Sequence, residues 1–322
     1  SQAEGSDPPY SKADIQECIK HVVDIGHGEK TDIAPDIKIS LENAGHILGS
    51  SSVYMQIGEG NNEHRLLFSG DIKYEKSWLF DAATVRFPKA DTLVIESTYG
   101  GPQDFQPNRT DATHEIQDLI RLAVSRSGKV FCPVFAVGRS QEVMLAIDQL
   151  FKSGDVTPVT VWLDGMISEA TAIHASHPDY LNRDLRKQVL RGGDENPFNS
   201  QWFKQVDSRE QRESIINDPS PCIVLATSGM MTGGPIMEYF RNWAPELNNT
   251  LCFVGYQASG TMGRRLQSGH PEVPMVDRGQ THMIPVSCNV VTIDGFSGHS
   301  DRKQLMDYVK ALNPTPRRII CH

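Results

Sequence analysis

The feature that most constrains this chain is a pair of acidic residues, Asp71 and Glu96, each placed just beyond a short apolar run. Arg65 to Ser69 and Leu93 to Ile95 read as short buried strands, followed by Gly70 and by the Thr98-Tyr99-Gly100-Gly101 turn. A carboxylate just past a buried strand is held rigidly with its oxygens toward the cleft. There it can ligate a metal or hold a histidine without ordering a loop. Taken singly, each carboxylate reads better as a turn cap, as acidic residues after strands often are.

Two histidines repeat the pattern. Asn43 to Ser50 follows the alternating run Ile37, Ile39, Leu41 and sets His46 between Gly45 and Gly49, ahead of the strand Val53 to Ile57. Late in the chain, Val290 to Ile293 is followed by Phe296-Ser297-Gly298-His299-Ser300-Asp301, again a histidine in a turn of small residues. Imidazole and carboxylate at strand ends are the ligand set that zinc favours in catalytic sites.

The alternation of Ile37 to Leu41, Val53 to Ile57 and His64 to Phe68 suits an antiparallel sheet with one covered face. Ahead of it, Ser11 caps a helix with Ile15, Cys18, Ile19, Val22 and Val23 at helical spacing. From Gly101 onward the pattern changes. A linker at Pro102 to Pro107 precedes the helix Asp111 to Ser125, and then strands and helices alternate: Lys129 to Ala136, Ser140 to Lys152, Pro158 to Leu163, Ser168 to Ser176. Cys222 to Ala226, Ile236 to Trp243 and Leu251 to Val254 continue it, which argues for a mostly parallel sheet covered on both faces. The polar segment Arg183 to Ser220 reads as a long connection or lid. Val290 to Ile293, the helix Arg302 to Leu312 and the strand Arg318 to Cys321 read as a return to the first domain, which makes the second an insertion.

Three turns of the second domain suit phosphate. Gly138-Arg139-Ser140 opens a helix after a strand, where backbone amides favour an anion and Arg139 adds a forked donor. Ser228-Gly229 permits close backbone approach, and Arg264 lies beside Thr261. Each turn is equally a structural one with its arginine paired to a carboxylate.

With 40 acidic against 31 basic residues the net charge is −9, so RNA contact requires local basic patches or another domain. No apolar run is long enough to span a bilayer and no signal pattern opens the chain, so a cytoplasmic setting without membrane contact is expected. The six cysteines have no C-x-x-C spacing, and most fall in strands, as buried thiols rather than disulfides.

At these residues the sequence resembles the β-CASP ribonucleases of the metallo-β-lactamase superfamily, and in particular the archaeal homologues of the cleavage and polyadenylation specificity factor. The lone metal histidine of that family matches His46, and its zinc-bridging aspartate matches Asp71 in FSGD. Its motif A acid matches Glu96 in IESTYGG, and its motif B histidine matches His299 in FSGHSD. Val137 to Glu142, Thr227 to Met231 and Gly255 to Thr261 extend the resemblance over nearly the whole chain. It implies an α/β chain: a partial metallo-β-lactamase domain of αββα type, residues 1–100 and 289–322, with an inserted β-CASP domain, residues 101–288, on a mostly parallel sheet.

The resemblance also implies zinc-assisted hydrolysis of RNA phosphodiester bonds in 3′-end processing or decay. Two zinc ions would be bridged by Asp71, with His46 completing one shell. His299, held upright by Glu96, would give a proton to the leaving oxygen. The three phosphate-suited turns, read from their own chemistry, make Arg139, Ser140, Ser228, Gly229, Thr261 and Arg264 the expected RNA contacts. The family's last ligand follows a strand like Arg318 to Cys321, so His322 is either that ligand or the residue just before it. A non-catalytic scaffold subunit and a small-molecule hydrolase are the alternatives.

One departure stands out: nothing like the family's HxHxDH string lies between Ser1 and His46. The expectation is therefore of a fragment whose partner is a preceding segment of the same protein, in a homo-oligomeric parent. Alone, it would hold zinc weakly or not at all and cleave no RNA.

Overall fold

The computed structural model describes residues 9–277 and 279–322. Helix α1 (Lys12–Lys20) is followed by strands β1 (Lys30–Ala34), β2 (Ile37–Asn43), β3 (Ser51–Ile57), β4 (His64–Phe68) and β5 (Thr92–Ile95). Next come α2 (Arg109–Ser125), β6 (Val130–Pro133), α3 (Arg139–Ser153), β7 (Val161–Asp164), α4 (Ile167–Ser176) and α5 (Arg183–Arg191). The chain continues through β8 (Phe203–Gln205), α6 (Arg209–Asn217), β9 (Ile223–Ala226), α7 (Ile236–Trp243), β10 (Thr250–Phe253) and α8 (Met262–Gln267). It ends with β11 (Glu272–Asp277), β12 (Gln280–Pro285), β13 (Asn289–Thr292), α9 (Arg302–Ala311) and β14 (Arg318–Cys321).

The first sheet has the order β1-β2-β3-β4-β5-β14. The alternating runs β1 to β4 pair antiparallel, as their half-apolar pattern requires, while β4, β5 and β14 run parallel. One face packs Tyr54, Leu67, Leu93 and Ile95 against Leu305 and Tyr308 of α9. In α1 the Ser11 hydroxyl accepts from the Asp14 N–H and the Asp14 carboxylate accepts from the Ser11 N–H, a capping box. None of its residues is buried.

The second sheet, β13-β10-β6-β9-β7-β8, is parallel throughout. Its central strands β6, β9 and β10 are buried at every residue, which is why they read as unbroken apolar runs. Their two faces belong to two cores: Cys132 and Leu225 pack with Ile116 and Ile147 on one side, Phe131 and Val224 with Tyr239 and Phe240 on the other. Two sequence expectations are corrected. β13, read as part of the return to the first domain, pairs with β10, because its apolar residues complete the parallel edge beside Leu251 and Cys252. The division we propose therefore closes the inserted part after Thr292 rather than before Asn289. The segment Arg183 to Ser220 is not a bare connection: it forms α5, β8 and α6, which bury Leu185, Val189 and Ile215 and leave polar faces in water.

Among the described residues no helix is long and apolar enough to cross a membrane, and the six cysteines are free thiols, four of them buried.

Candidate metal centre

Asp71 stands three residues past the end of β4, after Gly70 has turned the chain at φ 59°. His46 lies in the β2–β3 turn, where Gly45 bridges to Ile72 at φ 71°. A side chain at Gly45 would come within 2.9 Å of the Asp81 and Lys73 carbonyls, so only glycine lets this turn sit against the Asp71 loop. His299 arrives from the other side of the molecule, on the loop that leaves β13. Ser300 ties that loop down: its N–H and hydroxyl donate to the Ile72 carbonyl at 2.8 and 2.9 Å, and its hydroxyl accepts from the Tyr74 N–H. At Gly298 a side chain would run into the Arg139 guanidinium and approach His46 Nδ1 to 2.8 Å.

The result is a cluster of His46, Asp71 and His299, each offering one ligand atom within 4.8 Å of the others. His46 Nε2 is 3.7 Å from Asp71 Oδ2, and the two imidazole rings lie 4.4 Å apart. Behind them Glu96, 4% exposed, accepts from the Ile72 N–H at 2.7 Å and meets His299 Nδ1 at 2.9 Å. Burial alone would raise the Glu96 pKa, but the bonds from His299, Ile72 and Thr98 outweigh it and hold the carboxyl below its ordinary value. Glu96 is thus an ionised acceptor for Nδ1, which leaves Nε2 of His299 for chemistry. Burial lowers the His46 pKa against the opposing Gly298 backbone, and His299 and Arg139 add to the fall. A neutral imidazole is the form that binds metal.

Sequence reasoning missed Lys73, Arg109 and Glu142. Lys73, almost wholly buried, donates to the His299 carbonyl at 3.0 Å, and burial together with Arg109 and Arg139 pushes its pKa down to about 8. Arg109 pairs with buried Glu142 at 3.1 Å and reaches the Ser297 carbonyl at 3.4 Å. The only signal was position, for Lys73 lies two residues past Asp71 and Arg109 at the first turn after the linker.

His322 is not part of this cluster. It extends the β5–β14 pairing by one step, its N–H donating to the Ile95 carbonyl at 2.8 Å, while its ring lies 6.4 Å from that of Phe68. The anion site expected at the start of α3 is corrected. The Arg139 guanidinium is buried, donates to the Phe296 carbonyl and has its pKa lowered to about 10 by burial and by Arg109. The Ser140 hydroxyl donates to the Ala136 carbonyl, and the Gly138 N–H is taken by Gln141 Oε1 at 2.7 Å. Arg139 thus braces the Phe296 end of the His299 loop, while the Ser140 and Gly138 groups are spent within the turn that opens α3. Ser228 and Gly229 lie on the loop beyond the carboxyl end of β9, and beyond β10 Thr261 precedes α8, which carries Arg264 in its first turn. There Gln257 Nε2 donates to the Gly229 carbonyl at 2.8 Å, and Thr261 caps α8 by accepting the Arg264 N–H. A cleft of about 930 Å³ between residues 76–78 and helices α3 and α5 holds cations already met by acids, Lys76 by Asp184 and Lys152 by Asp148.

The Beta-Casp domain family matches residues 140–266, and a family described as the Zn-dependent metallo-hydrolase RNA specificity domain matches residues 283–322. The chain is 51% identical over 317 residues to transcription termination factor FttA of Methanosarcina mazei, covering 98% of this chain and 49% of that protein. To the FttA of Methanocaldococcus jannaschii it is 48% identical over 321 residues, 99% of this chain and 50% of that protein. To the FttA of Pyrococcus horikoshii it is 47% identical over 320 residues, 99% of this chain and 48% of that protein. The chain therefore spans about half the length of the curated relatives it matches. With near-half identity sustained from end to end and both most of the second sheet and the His299 segment matched, the chain belongs to the β-CASP family of the metallo-β-lactamase superfamily and has its α/β fold.

Proposed function

We propose that this chain forms part of a zinc-dependent ribonuclease that hydrolyses RNA phosphodiester bonds in 3′-end processing or decay. The observation that carries the reading is the Glu96–His299 pair at 2.9 Å, set against the His46–Asp71 pair. An acid-held imidazole beside a metal-type donor set is the arrangement that hydrolysis of a charged ester needs. The relatives are named as transcription termination factors, and cleavage of a transcript joins that name to this site.

With His299 kept for proton transfer, His46 and Asp71 are the clustered groups that fit as zinc donors, and an ion bound there would need at least one further protein ligand from elsewhere in the protein. Zinc bound there would supply a Lewis acid and a water of lowered pKa. The chain's own residues do the rest. Glu96 fixes the tautomer and tilt of His299, whose Nε2 donates a proton to the leaving ribose oxygen. Lys73 and Ser300 hold the His299 backbone, so the imidazole reaches the leaving group without ordering a loop.

In a protein of the relatives' length carrying this chain, His299→Ala is expected to lower RNA cleavage by roughly two to four orders of magnitude with metal content near normal. Equal loss of zinc and activity would make His299 a ligand, and undiminished cleavage would remove it from the mechanism.

A further inference from the structure

Leading away from His299 is a series of aromatic side chains that neither the fold nor the metal cluster requires. The Tyr99 ring lies 6.3 Å from the His299 ring, and the Tyr256 ring lies 6.1 Å from Tyr99 in an edge-to-face arrangement. The Arg264 guanidinium stands over the Tyr256 ring at 5.7 Å. Tyr256 is 43% exposed, and Phe135, packed beside Gly229, is 44% exposed. These side chains come from different segments that the fold brings to one rim. Tyr99 follows β5, Phe135 follows β6, and Tyr256 and Arg264 follow β10. Gln257 joins the Tyr256 loop to the Gly229 loop, so Tyr256 is presented from a pinned backbone. The rim lies beyond the carboxyl ends of the central parallel strands, where open α/β sheets take their ligands.

We propose that Tyr99, Tyr256 and Arg264 form a base-stacking strip that holds the nucleotides of single-stranded RNA next to the bond cleaved at His299. The inference rests on the ribonuclease reading and adds what recognises the strand. The charge balance favours it. A chain of net −9 does not hold RNA by its overall field, whereas stacking on an aromatic face or a guanidinium plane is indifferent to that field and to base identity. Edge-to-face rings with one exposed member also leave a free π surface for a base, which a fully buried aromatic pair does not.

The test is equilibrium binding of a fluorescein-labelled oligoadenylate, and of the same oligomer with abasic positions, to a protein of the relatives' length. Tyr256→Ala is expected to weaken binding of the intact oligomer roughly 5- to 150-fold, with metal content and thermal unfolding unchanged, while Tyr256→Phe retains affinity. The abasic oligomer should bind the unsubstituted protein weakly and lose little more on Tyr256→Ala, because the two changes remove the same contact. Unchanged affinity in Tyr256→Ala, or equal losses for intact and abasic RNA, would overturn the strip and leave the ribonuclease reading standing. Failure of the unsubstituted protein to bind or cleave RNA would overturn that reading, and the strip with it.

Discussion

Both large sheets have six strands, yet they are held in opposite ways. In the second, β6, β9 and β10 are buried at all positions and helices cover both faces. In the first, one face has a core and the other does not. Leu41, Val53, Phe68, Val94 and Ile320 stand opposite one another across β2, β3, β4, β5 and β14, an apolar row with none of its members buried. Every residue of β14 is exposed. The candidate metal cluster lies where the two sheets meet, since His46 and Asp71 come from turns of the first and His299 from the loop leaving the second. The geometry of this candidate site is thus set jointly by a part that supplies its own core and a part whose core covers one face.

That contrast is sharpened first at Asp164, the buried end of β7. It accepts from Arg212 Nε and Nη2 at 2.7 and 2.9 Å and from the Tyr239 hydroxyl at 2.8 Å. Arg212→Ala should cost about 3–5 kcal/mol, because it strands a carboxylate in the interior. Urea unfolding followed by tryptophan fluorescence measures it; a cost below about 1 kcal/mol would show the second sheet to be less tightly determined than its burial implies. The next comparison sets one strand of each sheet against the other. Leu225→Ala, in a fully buried side chain of β9, should cost about 2–5 kcal/mol, and Ile320→Ala, 52% exposed in β14, should stay within about 0.5 kcal/mol. Equal costs would mean that another surface covers β14 in solution.

The sequence showed the second sheet well because parallel strands buried on both faces must be continuously apolar, as in Val130 to Pro133 and Ile223 to Ala226. It showed the four strand-end groups His46, Asp71, Glu96 and His299 because such positions follow directly from local pattern. It did not show α5 and α6, whose stripes amount to two buried residues and one; their caps, Asn182 and Ser208, were the available signal. Nor did it show which way Arg139 points. That depends on the Phe296 carbonyl, 157 residues further along, and long-range partners leave no trace in local spacing. The β13 assignment failed for a related reason, since an apolar strand fits the edge of either sheet until its neighbour is known.

The smallest expected effect concerns pH, and it separates the two sheets by direction rather than size. Asp91, at the start of β5, accepts from the Arg65 N–H at 3.1 Å and so pins the parallel pairing of β4 with β5. That bond lowers its pKa below 3.8, with burial opposing and Lys89 adding to the fall. A carboxyl whose folded pKa is depressed stabilises the fold above its unfolded pKa and loses that contribution as pH falls through the folded value. The β4–β5 amides should therefore lose exchange protection below about pH 3.8 earlier than those of β6 and β9, and Asp91→Asn should remove that pH dependence. Hydrogen exchange read by mass spectrometry across this acid range decides the matter. Simultaneous loss in both sheets would mean that they open as one cooperative unit, so that the uncovered face of the first is supported by the core of the second.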